Sequence, residues 1–116
     1  MTRLPSLPEQ PHLLDVFREF GRGIWALTEF HDVLLRGPSE WSVGEREAMA
    51  AYVSSLNACR FCHASHKMIA EVHGMPEQDL AALLDDPEQP DIDPQLSAVL
   101  VYLRKLTLMP ARITDA

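Results

Sequence analysis

Residues 42–76 read SVGEREAMAAYVSSLNACRFCHASHKMIAEVHGMP, and the punctuation within this stretch decides the fold class. Ser42 followed by Glu45 is a capping box, in which Ser42 caps a helix and Glu45 reaches back to the cap N–H, so a helix is expected to run to about Leu56. A second helix is expected to start near Asn57 or Ala58, with Asn57 able to cap it, and to end at Gly74 with Pro76 beyond. That second helix carries both cysteines of the chain and two of its five histidines. At about 100° per residue, Cys59, Cys62, His63 and His66 share one arc about 100° wide. Phe61, Met68 and Val72 fall opposite, which predicts that Phe61 points toward the core and that His63 is an exposed polar residue.

Outward from this pair the pattern stays helical. Leu13, Val16, Phe17, Phe20, Ile24, Leu27, Phe30 and Leu34 recur at three- and four-residue spacing, interrupted by Gly21 and Gly23, which either split the segment into two helices or mark a close crossing. The first eleven residues, rich in proline, read as an extended arm. Pro76-Glu77-Gln78-Asp79 opens a short helix through Leu84, and the proline- and aspartate-rich stretch from Asp85 to Asp93 reads as a loop. Leu96, Val99, Leu100, Leu103 and Leu106 define a last amphipathic helix ended by Pro110. No segment alternates apolar and polar residues at period two, so the expected class is all-α, in a single domain of 116 residues. His12, His31 and His73 are expected at the surface or at helix ends. Trp25, Trp41, Tyr52 and Tyr102 are expected to fill the core or subunit contacts.

Composition narrows the function classes. An apolar fraction of 47% with 23% charged residues is ordinary globular composition. The net charge of −7 argues against a nucleic-acid partner, because phosphate binding needs a basic face. No apolar stretch approaches the roughly 18 residues of a membrane span, and the amino terminus lacks the apolar run of a signal peptide. A cytoplasmic location is the expectation, and in that reducing compartment two cysteines three apart point to chemistry or metal binding rather than to a structural staple.

A thiol attacks only as thiolate, and the unpaired N–H groups of a helix start, the positive end of its dipole and a nearby imidazole all favour that anion. Cys59 has the place nearest the helix start, and Cys62 has His66 one turn on. Two such thiols support a redox cycle: one becomes a sulfenic acid on meeting a peroxide, and the other condenses with it to a disulfide. Three other readings stand beside this one. Cys59, Cys62, His63 and His66 are zinc-ligand types, although four ligands on one helical arc poorly surround a tetrahedral ion. Cys59-Arg60-Phe61-Cys62-His63 matches the haem-attachment string, a feature of exported proteins. The third is a pair of buried, inert cysteines.

The stretch from Glu45 to Gly74 resembles the core of the alkylhydroperoxidase D/carboxymuconolactone decarboxylase superfamily, in its peroxidase-related branch. That branch pairs a glutamate twelve residues before the first cysteine with C-x-x-C-x-x-x-H, and the matching positions are Glu47, Cys59, Cys62 and His66. The resemblance extends more weakly through Leu100–Thr107 to Ile113 and Thr114. It implies a compact helical domain with the C-x-x-C at the N-terminal end of a central helix, oligomeric, free of cofactor and metal, acting as an alkylhydroperoxidase or peroxiredoxin-type enzyme. It further implies Cys62 as the peroxide-attacking thiol, Cys59 as its resolving partner, and Glu47 with His66 as the proton relay. The implied partners are a peroxide substrate, a dithiol, thioredoxin-like or lipoyl electron donor, and further copies of the chain.

Two departures from the pattern bear on activity. Some members carry a relay histidine where this chain has Phe61. Relatives also continue with further helices, whereas Thr114 and Asp115 look like the cap of a helix that does not follow, so the expectation is either a short form whose missing packing comes from neighbouring subunits or a truncated, inactive gene product. A non-catalytic redox-sensing module is the competing expectation, and decarboxylation does not call for this dithiol.

Overall fold

The structure, a computed structural model, describes residues 4–89 and 91–114. Among these it is all-helical, with six α-helices and no strand. The chain divides into two compact units, Met1–Pro38 and Ser39–Ala116.

The first unit holds α1 (Leu13–Glu19) and α2 (Ile24–Arg36). The segment that sequence left as either one crossing or two helices is two. Gly23 stands at φ +83 as the N-cap of α2, a left-handed conformation that costs glycine little. Before α1 the described part of the arm is bent rather than extended, with a turn in which Leu7 N–H donates to the Leu4 carbonyl at 3.1 Å. Residues 1–3 of that expected arm lie outside the described residues, as does Asp115 of the expected terminal cap. Neither helix of this unit buries a residue, and Trp25 is 87% exposed.

The second unit holds α3 (Val43–Leu56), α4 (Arg60–Val72), α5 (Glu77–Asp85) and α6 (Pro94–Leu108), followed by a 3₁₀ turn at Pro110–Arg112. The capping box forms: Ser42 Oγ accepts from Glu45 N–H at 3.2 Å and Glu45 Oε2 accepts from Ser42 N–H at 2.7 Å. Asp93 caps α6 through the N–H groups of Gln95 and Leu96, with Pro94 in the first turn, where its missing N–H costs nothing.

The start of α4 lies later than Asn57 or Ala58. Asn57 is consumed in closing α3, its N–H donating to the Val53 carbonyl, and Ala58 then reverses the chain at φ +55. A non-glycine residue in this region costs about 1 kcal/mol or more. The helix begins at Arg60 with Cys59 as its N-cap.

Ala48 and Tyr52 of α3, Ala70 of α4, Leu80 and Leu83 of α5, and Leu96 and Leu100 of α6 form the core, with Trp41, Met49, Met75 and Leu103 packed against it. Tyr52 and Trp41 thus serve the packing expected of them, while Tyr102 is half exposed. His12, His31 and His73 are exposed, with His12 and His73 at helix ends. Beside the core, Arg104 donates to Glu88 at 2.8 Å, which holds the guanidinium above its ordinary arginine pKa; so exposed a pair adds little stability.

A glycine lets α3 approach the end of α4. A Cβ on Gly44 would sit 2.9 Å from the His73 carbonyl oxygen and 3.0 Å from Met75 Cγ. The first of these is backbone and cannot swing aside. Gly44→Ala is therefore expected to cost about 1–2 kcal/mol, the overpacking outweighing the better helix propensity of alanine. Urea unfolding measures it, and an unchanged midpoint would mean that the two segments do not meet this closely.

Candidate active site at the start of α4

Cys59 is the N-cap of α4, with extended backbone and a sulfur that accepts the Cys62 N–H at 3.3 Å. Cys59 and Cys62 are joined as a disulfide, their Cα atoms 5.4 Å apart. Both are half-buried. The first turn of α4 carries no acidic side chain to oppose a thiolate there.

The α3–α4 connection is three residues long, so the helices pack antiparallel and a residue early in α3 faces one late in α4. Glu47, the relay carboxylate that the resemblance implies, has a side chain only 1% exposed. Its Oε2 lies 2.5 Å from Nδ1 of His66, whose side chain is 25% exposed. A carboxylate can only accept from this imidazole nitrogen, so Nδ1 carries the hydrogen and Nε2 is left as the second site for a proton. The structure thus brings together Glu47 and His66, and Cys59 and Cys62, all four residues named from the sequence.

The face of α4 that turns inward is the reverse of the expected one. Phe61, Met68 and Val72 are 65%, 60% and 77% exposed, while the cysteine–histidine arc faces α3. Phe61 does not enter the core; it walls an open cavity of about 570 Å³ together with Ser55, Ala58, Cys59, Arg60 and His63. His63 is likewise not an exposed polar residue. It is half-buried, and its Nδ1 lies 3.0 Å from the Ala51 carbonyl oxygen on α3. The signal that locates it is in the sequence: His63 follows Cys59 by four residues, as His66 follows Cys62. No group of three or more His, Cys, Asp or Glu among the described residues could hold a metal ion. No helix among them is long and apolar enough to cross a membrane.

Fold and site together define a class: an all-helical protein with a cysteine pair at the start of one helix and, one turn further along it, a histidine paired with a buried glutamate on the helix before. The chain belongs to the carboxymuconolactone decarboxylase family, whose profile matches residues 23–105. Comparisons with curated proteins and with solved structures return no match.

Proposed function

We propose that the protein is a thiol-dependent peroxidase or disulfide oxidoreductase that reduces peroxides through a Cys59/Cys62 dithiol–disulfide cycle. The observation that carries this reading is the disulfide at the start of α4 with the His66–Glu47 pair one turn beyond Cys62. In the cycle, the Cys62 thiol passes its proton to Nε2 of His66 and the thiolate attacks one peroxide oxygen. The O–O bond breaks, Cys62 becomes a sulfenic acid, and the departing alkoxide takes the proton back from His66 and leaves as alcohol. Cys59 then displaces the sulfenic hydroxyl as water, forming the disulfide, and an external dithiol, thioredoxin-like or lipoyl, reduces it by exchange. Glu47 compensates the charge that His66 gains while holding the proton, the role a buried carboxylate plays behind a catalytic imidazole.

We place this reading in the cytoplasm and in a homo-oligomer. Support for the latter comes from large apolar side chains left at the surface, among them Trp25, Phe30, Val33 and Val72. Phe61 favours a second reading, a redox sensor that oxidises once, because it puts a ring with no transferable proton where some family members have a relay histidine. Free-thiol titration before and after peroxide, with mass measurement and with dithiothreitol as donor, separates the two. The enzyme consumes many peroxides per subunit and returns each time to the intramolecular disulfide. Consumption that stops at one per subunit identifies the sensor, and thiols unchanged by peroxide refute both.

A further inference from the structure

Cys59 and His63 stand four residues apart, as do Cys62 and His66, and the groups that receive the two rings on α3, Ala51 and Glu47, are also four apart. Antiparallel packing of α3 on α4 therefore builds the same rung twice. Each rung is a cysteine, the histidine four residues after it and the oxygen acceptor on α3 that meets the ring, the acceptor being a carboxylate for His66 and a backbone carbonyl for His63. We infer that His63 is the proton acceptor of Cys59, so that both thiols of the pair, and not Cys62 alone, are activated by a histidine.

The chemistry of the second rung follows from its partner. A backbone carbonyl has no proton to give, so the hydrogen in the 3.0 Å contact belongs to Nδ1 of His63, and the neutral ring presents Nε2 as its lone pair. The tautomer is set by the fold. Cys59 and His63 line the same open cavity, and the His63 backbone N–H donates to the Cys59 carbonyl at 2.9 Å, which sets the two residues one turn apart at the start of α4. A carbonyl partner orients the ring without supplying the countercharge that Glu47 gives His66.

Within the peroxidase cycle, on which the place of this step rests, His63 acts in resolution. Cys59 gives its thiol proton to His63 Nε2 as its electron pair forms the bond to Cys62 sulfur. The S–O bond of the sulfenic acid breaks, and the hydroxyl leaves with a proton from solvent as water; His63 afterwards returns its proton to solvent. When a donor thiolate later attacks Cys62 sulfur, the same ring stands beside the Cys59 thiolate that departs.

The test uses alkylation, which needs no peroxide. The full chain is reduced with a phosphine, freed of reductant and treated with iodoacetamide at pH 7, and each cysteine is followed separately, because tryptic cleavage after Arg60 puts Cys59 and Cys62 on different peptides. His63→Asn is the informative variant. Its amide nitrogen takes the place of Nδ1 and keeps the donor to the Ala51 carbonyl, while nothing replaces Nε2. Arg60 and the Glu47–His66 pair are unchanged in it. Expected is a fall of about tenfold or more in the Cys59 rate, with the Cys62 rate and the melting temperature unaltered. An unaltered Cys59 rate overturns the inference. Slowing of both cysteines together, or a lowered melting temperature, also overturns it, since His63 would then be a latch between helices. Selective slowing in a protein that consumes no peroxide would leave the inference standing and remove the peroxidase reading; turnover without selective slowing does the opposite.

Discussion

Cys62→Ser is expected to reduce peroxide consumption to the uncatalysed background, whatever the donor supplied, because no other thiol is placed one turn before His66. Cys59→Ser is expected to behave differently. It consumes one peroxide per subunit and stops, leaving a sulfenic acid at Cys62 that a dimedone-type probe traps. Neither variant should fail by unfolding. Serine is a strong N-cap, so Cys59→Ser keeps the acceptor for the Cys62 N–H. At Cys62 only the disulfide bond is lost, and it closes too short a loop to constrain much unfolded-chain entropy.

The pair of variants also decides between two physical arguments that point to different sulfurs. Position at the helix start favours Cys59, whose sulfur already accepts an N–H of the first turn. Proximity to a charge-compensated imidazole favours Cys62. A reversed pattern, with the stoichiometric burst in Cys62→Ser and none in Cys59→Ser, would give the peroxide-attacking role to Cys59. Full turnover in Cys62→Ser would remove the dithiol cycle altogether.

Local punctuation was the part of the fold legible in sequence, because caps are short-range and decided by the side chains that spell them. Ser42 and Glu45 close on each other as their spacing requires, and Pro94 and Pro110 bracket the last helix. The inward side of α4 was not legible, and the reason lies on α3. Large apolar residues normally mark the buried side of a helix, but the positions of α3 that meet α4 include Gly44, Ala51 and the side chain of Glu47. Small residues allow close approach without giving Phe61 or Met68 anything to fill, whereas two hydrogen-bond acceptors on that surface receive two imidazoles. Polar pairing therefore set the rotation of α4. The start of α4 was misplaced for a similar reason: Asn57 is a good cap for either neighbour, and the end of α3 takes it first.

The site itself divides along the same line. Glu47 is one of many carboxylates in an acidic chain, and only its twelve-residue offset from Cys59 singles it out; its burial appears once α3 and α4 are in register. His63 shows the converse. Its four-residue spacing from Cys59 is plain in the sequence, yet its acceptor is a backbone carbonyl, which no side-chain pattern encodes.

Glu47 carries the second large effect, and two substitutions separate its work in catalysis from its work in stability. Glu47→Gln keeps an oxygen that can accept the Nδ1 hydrogen of His66 and keeps the volume, but removes the charge. If the carboxylate compensates a transient imidazolium, turnover falls by about 10²-fold or more while stability moves by less than about 1 kcal/mol. Glu47→Ala removes the acceptor and leaves a void against α4. A fully buried charged pair broken in this way loses about 3–5 kcal/mol. Here the His66 side chain is 25% exposed, so water can reach the orphaned ring and the expected loss is nearer about 2 kcal/mol. The double variant with His66→Asn tests the route of the effect. Glu47 Oε2 meets Nδ1 of His66, and if its effect travels by that contact, adding Glu47→Gln to His66→Asn should cost no further activity, the two acting as one unit. Additive losses would mean that Glu47 reaches the reaction by another path, and an active Glu47→Gln enzyme would reduce the buried pair to a structural tie between α3 and α4.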